Sequence, residues 1–297
     1  MTGSEAALPA REPLRLLLTG GHPADAFDNA GGTLARHVRR GDSVTVLVMT
    51  HGVQSHSILK MDWERTGRGE AVTATDEELV DEKEAEVRRA CAVLGVTDVR
   101  FLYYSDELLL VNQRLVLHVA DVVREVRPHI VVTHHPLEDG GIGTHASCAE
   151  ITFHAIQAAH GLSKDRRLKP HRVGQVFFTG TVMNTRRNDA LTAAVPSFAD
   201  VIVDVTDVVE LKVKALDQIR SQGYRGAYAR KRTETIEGRL GGMMRIAYGE
   251  SFVRQRAEVY AALPIEATTI QQIDETAAEQ GARTNRLLAG DVPLTEE

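Results

Sequence analysis

The sequence predicts an α/β protein with a Rossmann-like layered fold, in which a mostly parallel sheet lies between helices and a helical extension follows at the C-terminus. Its apolar runs are mostly continuous, which is typical of strands buried on both faces of a parallel sheet. The helical stretches between them are long enough for right-handed crossover connections. The 297 residues, 43% hydrophobic and 26% charged, can bury one large core.

The pattern places the elements in the following order along the chain. The predicted strands are residues 14–18, 44–49, 99–103, 130–133, 176–179 and 201–205. The predicted helices are residues 33–40, 76–94, 108–126 and 145–159, and residues 270–288 are helix-prone. The helix that begins at Asp76 has the strongest end signals, because Thr75 and Glu78 have the spacing of a capping box and Gly95 follows its last residue.

These elements indicate one main domain with two appendages. We expect a flexible N-terminus over residues 1–13, a single α/β domain over residues 14–264 and a C-terminal tail over residues 265–297. Residues 54–75 are polar and lack periodicity, which predicts a long functional or disordered loop. The tail is a candidate contact surface for a homo-oligomer.

Charge and composition exclude several classes of function. A net charge of −6 gives no general attraction to nucleic acid or to anionic lipid, and no apolar run reaches membrane-spanning length. The start of the chain lacks the basic and apolar regions of a secretory signal. The two cysteines cannot build a disulfide framework, and the first strand is not followed by a dinucleotide-binding glycine pattern. We therefore expect a cytoplasmic protein that acts on a small molecule.

The most informative motif follows the first strand and reads His22-Pro23-Ala24-Asp25. A buried strand that ends in glycines and then delivers a histidine and an aspartate three residues apart suits a metal site. Imidazole nitrogen and carboxylate oxygen are both zinc ligands, and ligand sites in open α/β sheets lie outside the carboxyl ends of the strands. The alternative interpretation of His22 and Asp25 is a loop histidine beside an aspartate that caps a helix.

Further polar residues follow the second and fourth strands. His51 and His56 come after the second strand, and the fourth strand continues into a segment rich in histidine and carboxylate. The carboxyl ends of parallel strands share one edge of the sheet, so these side chains are expected to converge with His22 and Asp25, some of them only supporting the ligands. The residues concerned beyond the fourth strand are His134, His135, Glu138, Asp139 and His145.

The first motif resembles the His-Pro-Asp-Asp motif of the PIG-L (LmbE-like) family of zinc-dependent N-deacetylases. The likeness continues through residues 29–33, 94–96 and 124–128 and the His145 region, and resumes at Lys212, at Ser221-Gln222 and at residues 248–252. It covers most of residues 14–262. The resemblance implies an N-acyl hydrolase in which His22, Asp25 and a later histidine hold zinc.

The third ligand depends on the alignment of one helix start. The family usually has His-Pro-Asp-His there, with the last histidine on the metal and the first assisting the reaction, whereas residues 143–148 read Gly-Thr-His-Ala-Ser-Cys. One register makes His145 the ligand, and the other makes Cys148 the ligand. Thr144 suits an N-cap, which places His145 at the mouth of the helix. A cysteine inside an amphipathic helix is usually a small buried hydrophobe, so we expect His145 to be the ligand.

The chain departs from the family pattern at Ala24, where the resemblance implies that the catalytic base should be an aspartate. General base catalysis typically contributes roughly 10²–10⁴-fold, so its loss would weaken ordinary deacetylation. Three alternatives remain open. Another residue supplies the base, the protein is a hydratase like the 4-oxalomesaconate hydratases that carry His-x-Ala-Asp, or it is a weakly active metal binder. The candidate replacement bases are His51, His56, His135, Glu138 and Asp139.

Overall fold

The computed structural model describes residues 12–69, 71–136, 143–179 and 199–288 of the chain. Within these residues lies a seven-stranded sheet with the strand order β3-β2-β1-β4-β5-β7-β6. The strands are β1 (Arg15–Gly20), β2 (Ser43–Thr50), β3 (Asp98–Tyr104), β4 (Ile130–His134), β5 (Gln175–Thr179), β6 (Val201–Asp204) and β7 (Gly249–Arg254).

Helices cover both faces of this sheet. Those in the described part of the chain are α1 (Asp25–Arg39), α2 (Val53–His56), α3 (Ile58–Thr66), α4 (Asp76–Leu94), α5 (Gln113–Val126), α6 (Gly143–Ala159), α7 (Val209–Leu216), α8 (Ala227–Thr233), α9 (Arg239–Met244), α10 (Ala267–Gln271) and α11 (Ala277–Thr284). A 3₁₀ turn (Arg220–Gln222) precedes α8, and a π-helical turn (Glu234–Gly238) joins α8 to α9.

The sheet is mostly parallel, as the sequence predicts. Strands β1 to β5 pair in parallel, and β7 runs antiparallel between β5 and β6. The order of connection reverses between β1 and β4, because β2 and β3 lie on one side of β1 while β4 and β5 lie on the other. Such a reversal opens a crevice at the carboxyl ends of the two central strands, which is where α/β proteins bind ligands.

Two apolar layers hold the helices against the sheet. One layer packs α1, α4 and α7 on the first face through residues such as Phe27, Leu34 and Leu216. The other packs α5 and α6 on the opposite face through residues such as Leu115 and Ile151. Because the core is continuous on both faces, the strand ends that carry polar residues are held by a rigid scaffold.

The six predicted strands are confirmed, and the seventh, β7, was missed. Its sequence begins Gly249-Glu250-Ser251, which lacks the apolar signal of a buried strand. Glu250 is nevertheless 2% exposed, because the buried ammonium of Lys212 lies 2.8 Å from its carboxylate. Because Lys212 of α7 compensates the charge of Glu250, this glutamate can be buried, and a prediction based on hydrophobicity does not recognise the strand.

Helix boundaries differ from the prediction in several places. The helix Asp76–Leu94 and its capping box are confirmed. Helix α1 begins at Asp25 rather than at residue 33, α5 begins at Gln113 rather than at residue 108, and α2 and α3 occupy the predicted loop. Thr144, predicted as an N-cap, lies inside α6. The tail has two short helices in place of one, and Leu288 beyond them is buried and donates its amide to Tyr248.

In the described residues, the helices are all too short or too polar to cross a lipid bilayer. The two cysteines are both buried and unpaired.

Candidate metal centre

His22 and Asp25 are presented by the turn that joins β1 to α1. Thr50, the last residue of β2, fixes this turn because its amide and its hydroxyl both donate to the Gly21 carbonyl, at 3.0 and 2.6 Å. The His22 amide donates to Asp25 Oδ2 at 2.6 Å. Gly52 lies against the turn with a φ of 68°, and a Cβ there would be 2.7 Å from Pro23 Cδ, so only glycine fits.

His145 reaches the same point from the first turn of α6. Its Nε2 lies 3.1 Å from His22 Nδ1 and 3.3 Å from Asp25 Oδ1. One ligand atom from each of the three residues lies within 4.8 Å of the others, and all three side chains are buried. The structure thus brings together the three residues that the sequence analysis selects as ligands.

A fourth histidine, His134 at the end of β4, joins this group. Its Nε2 lies 2.9 Å from Asp25 Oδ2, and its ring stacks on His145 with centroids 3.9 Å apart. His134 was predicted to lie at this edge of the sheet, but it was not predicted as a metal ligand or as a base. Successive residues of a strand point to opposite faces, and the sequence does not show which of His134 and His135 faces the turn after β1.

The electrostatics of the group favour a bound cation. Burial opposes the charge of Asp25, but His145, His134 and His22 hold the pKa of its carboxyl well below the ordinary value. Burial lowers the pKa of His22, although Asp25 favours its charged form. A neutral imidazole beside an ionised carboxylate is the protonation state that metal binding requires. His22 Nε2 is buried and has no hydrogen-bond partner among the residues that the structure describes.

Cys148, the competing ligand, faces a different environment. Its thiol is fully buried and lies 3.8 Å from the Thr19 carbonyl, to which it donates. Burial raises the pKa of this thiol, and the charge of Asp25 raises it further. The thiol is directed at the backbone of β1, and the fully buried group of described residues whose ligand atoms lie together is His22, Asp25 and His145, without Cys148.

A second polar group lies on the other flank of His22, and we name it the relay cluster. The His56 ring packs on the His22 ring with centroids 3.9 Å apart. His56 Nδ1 is 2.6 Å from Ser55 Oγ, and that hydroxyl donates to Asp106 Oδ2. His51 Nδ1 lies 3.3 Å from Asp106 Oδ1. The relay cluster therefore consists of His51, Ser55, His56 and Asp106.

Asp106 is the centre of the relay cluster. Burial favours its neutral form, but hydrogen bonds from His56, from Ser55 and from the amides of Gln54 and Ser55 hold its pKa below the ordinary value. A permanently ionised carboxylate that contacts two histidines can orient their rings and stabilise a proton on them.

The end of β3 has an irregular backbone that directs the chain towards Asp106. Tyr103 has a φ of 54°, an unusual conformation for a bulky residue, and the β2–β3 register shifts between Val48 and Thr50. The His51 amide donates to the Tyr104 carbonyl at 3.0 Å, which joins the two strand ends. Asp106 was not predicted as a site residue, although it follows the third strand just as His22 follows the first.

The predicted base candidates have separate positions. His51 and His56 lie in the relay cluster. His135 packs edge-on against Phe178 with centroids 5.3 Å apart. Glu138 and Asp139 lie outside the described residues.

Ala24, where the resemblance implies a carboxylate, is 3% exposed and belongs to the apolar layer on the α1 face. Arg232 of α8 makes two hydrogen bonds to the carboxylate of Asp28 in α1, at 2.8 and 2.7 Å, so the charge of this arginine is neutralised. The centre therefore combines three candidate ligands with a histidine–carboxylate group beside them.

Sequence comparisons identify related proteins. The model of the PIG-L family, described as GlcNAc-PI de-N-acetylase, matches residues 17–156. A 1D-myo-inositol 2-acetamido-2-deoxy-α-D-glucopyranoside deacetylase from Catenulispora acidiphila is 27% identical over 253 residues, which cover 71% of this chain and 80% of the relative. For two further deacetylases of this type, the match covers 61% and 53% of their length.

Structural comparisons find the same fold in proteins with different reactions. The 4-carboxy-2-hydroxymuconate hydratase from Pseudomonas putida has a TM-score of 0.66 at 21% identity, covering 84% of this chain and 99% of that protein. The N,N′-diacetylchitobiose deacetylase from Pyrococcus horikoshii has a TM-score of 0.62 at 19% identity, covering 82% and 84%. At these identities the likeness is one of fold.

Proposed function

We propose that this chain is a zinc-dependent N-deacetylase that hydrolyses an N-acyl bond of a small molecule, in the class of N-acetylated amino sugars, because the PIG-L family model matches residues 17–156. The observation that carries the proposal is the buried group of His22, Asp25 and His145 at the reversal of strand order, with the relay cluster beside it. The names of the related deacetylases support amide hydrolysis and an acetamido sugar as substrate.

We assign His22, Asp25 and His145 as the zinc ligands. Two neutral imidazoles and one carboxylate match the ligand sets of catalytic zinc sites, which keep an open position. When bound, zinc lowers the pKa of water and polarises a carbonyl oxygen, and both effects assist amide hydrolysis. His134 holds Asp25 Oδ2 at 2.9 Å and thereby orients this carboxylate.

We assign His56 as the general base in place of the carboxylate missing at Ala24. Among the described candidates it is the one that packs directly on a proposed ligand, and Ser55 connects its Nδ1 to Asp106. In this arrangement His56 takes the proton of the attacking water and later delivers it to the leaving amine. Asp106 stabilises the protonated ring, as the carboxylate of a catalytic triad does. His51 Nδ1 lies 3.3 Å from the other oxygen of Asp106, Oδ1, and accepts a hydrogen bond from the Val53 amide.

A hydratase acting on an unsaturated oxo-dicarboxylate is the second candidate, favoured by the absence of a carboxylate at position 24. Two assays of the wild type decide between them. Acetate release from N-acetylglucosamine derivatives reports hydrolysis, and loss of conjugated absorbance from unsaturated oxo-dicarboxylates reports hydration. We expect acetate release, and absorbance loss without acetate would overturn the deacetylase.

The substitution Ala24→Asp sharpens this comparison. If the site binds an amide in the family manner, the added carboxylate provides a second base and should raise acetate release up to about 10-fold. If the site is built for hydration, the carboxylate gains nothing and crowds the water. Zinc content and melting temperature, measured on the same samples, serve as controls because position 24 is buried.

Two further proposals concern the state of the protein in the cell. We propose a cytoplasmic location, supported by the two unpaired buried cysteines. We also propose self-association through the tail, supported by its exposed apolar side chains Ile265, Ile273 and Leu287, which are 60%, 70% and 77% exposed. Analytical ultracentrifugation tests this, and a monomer at all concentrations would contradict it.

A further inference from the structure

Lys83 of α4 is buried next to the relay cluster, and nothing described above uses it. Its side chain is 1% exposed. Its Nζ donates to the His56 carbonyl at 3.0 Å and to Ser221 Oγ at 2.9 Å. The His56 carbonyl belongs to the last residue of α2, and the last carbonyls of a helix lack partners within the helix. Lys83 supplies that missing partner.

Ser221 connects Lys83 to a second buried group of α4. Its amide and its hydroxyl donate to the two oxygens of Glu86, at 2.9 and 2.7 Å. The next glycine, Gly223, has a φ of 81°, and a Cβ there would lie 2.8 Å from Ile58 Cδ1 of α3. The segment that carries His56 is therefore held between α4 and the 3₁₀ turn Arg220–Gln222.

We propose that Lys83 is a positioning residue that fixes the His56 ring beside the metal centre through the His56 carbonyl. This inference rests on the proposed role of His56 as the general base. The carbonyl and the ring both belong to His56, so a hydrogen bond that holds the carbonyl also restricts the position of the ring. A base displaced by about 1 Å loses catalytic efficiency, with costs of up to about 100-fold.

The burial of Lys83 carries a desolvation cost that its surroundings only partly offset. Burial lowers its pKa to about 8, although Glu86, Asp106 and Glu82 favour the charged form. Its two hydrogen-bond acceptors are neutral oxygens, while the Glu86 carboxylate is bound to Ser221. Removing the ammonium relieves its desolvation but leaves the His56 carbonyl and the Ser221 hydroxyl without this donor, and a buried acceptor that loses its partner destabilises the fold. We therefore expect a modest loss of stability, and the positioning role is tested through kcat.

The test compares Lys83→Met with the matched control Lys60→Met, since Lys60 is a partly exposed lysine of α3 that pairs with Asp76. We expect Lys83→Met to lower kcat by about 10- to 100-fold, with KM and zinc content nearly unchanged and the protein still folded at the assay temperature. Lys83→Gln, which keeps an N–H donor with a shorter reach, should give an intermediate kcat. Lys60→Met should keep the wild-type kcat.

The double variant Lys83→Met/His56→Ala shows whether Lys83 acts through His56. If it does, the double variant is no slower than His56→Ala alone, because the positioned group is already absent. Wild-type kcat in Lys83→Met, a loss that matches lost zinc or lost folding, or effects that multiply in the double variant would each overturn the positioning role. Wild-type kcat in His56→Ala would instead overturn the base assignment, and the positioning role with it.

Discussion

Two buried polar clusters lie along helix α1, and they use similar groups for different ends. The metal centre meets the first residue of the helix, Asp25, whereas a second group, the lysine cluster of Lys212, Glu237 and Glu250, meets its middle. Lys212 Nζ lies 2.6 to 2.8 Å from the Asp28 carbonyl and from one oxygen of each glutamate. Glu250 also accepts from the amides of Gly32 and Thr33.

The clusters differ in how their charges are compensated. In the lysine cluster a cation lies between two carboxylates, which raise the pKa of Lys212 against the effect of burial. In the metal centre three histidines, His22, His134 and His145, surround one carboxylate, that of Asp25. A lysine fixed between carboxylates holds elements of the fold together, whereas imidazole nitrogens beside a carboxylate are the ligand types of a metal site. The two clusters should therefore respond to mutation in opposite ways.

The largest effect is expected in the metal centre, on activity. His22→Ala should lower zinc content sharply and reduce the rate by about 10³-fold or more, because a ligand is lost and the remaining two hold zinc weakly. The fold should be retained, since His145 and His134 still lie beside the Asp25 carboxylate. Elemental analysis and acetate release measure this, and stoichiometric zinc in His22→Ala would move the site elsewhere.

Two further variants serve as controls for the ligand set. His145→Ala should lose zinc, whereas Cys148→Ser should retain it with a rate within about 3-fold of wild type, since the thiol donates to the Thr19 carbonyl and lies outside the group of proposed ligands. The exposed histidine of α6, His154, gives a control substitution on the same helix. The reverse result would make Cys148 the ligand.

The next largest effect is expected in the lysine cluster, on stability. Lys212→Met leaves two buried carboxylates without their cation, which should cost about 3–5 kcal/mol in the free energy of unfolding. Lys214→Met, two residues further along α7, should cost about 0.5 kcal/mol or less. Urea unfolding measures both. A Lys212→Met protein as stable as the wild type would show that the cluster does not hold α7 and β7 to α1.

A smaller, pH-dependent effect is expected at Glu237. Burial raises its pKa to about 7, with Glu250 adding to the rise and Lys212 opposing it. The folded state therefore binds more protons than the unfolded state between about pH 4.5 and pH 7, so this residue's contribution to stability is lost as the pH rises through that window.

The substitution Glu237→Gln removes this titration. Above pH 7 the variant should be more stable than the wild type by about 1–2 kcal/mol, and the difference should vanish towards pH 4.5. Melting temperatures across this range measure it, with the exposed residue Glu64 changed to Gln as the control. An advantage that grows at low pH would contradict the direction of the shift.

The two clusters also show what a sequence reveals. The fold class and six strands were predictable because continuous apolar runs and capping signals are local. His22 and Asp25 were recognisable because their spacing is local too. Strand β7 was not predictable from local sequence, because the burial of Glu250 depends on its contact with Lys212, which lies 38 positions earlier in the chain.

The relay cluster was only partly predictable for the same reason. His51 and His56 follow a strand end and were selected, but Asp106, which joins them, is contributed by another strand through a backbone irregularity at Tyr103. The choice between His134 and His135 depends on the face to which each points. Ala24 marks a departure from the motif that the resemblance implies, and the sequence names several candidate bases, but only the structure shows that His56 packs on His22.

The central claim is that His56 acts as the base in the absence of a carboxylate at position 24. The most direct test is the rate of acetate release by His56→Ala from an N-acetylglucosamine derivative, measured with the zinc content of the same sample. We expect the rate to fall by about 100-fold while one zinc per chain is retained, in line with the loss of general base catalysis. A wild-type rate, or a loss of zinc that accounts for the fall, would contradict the claim.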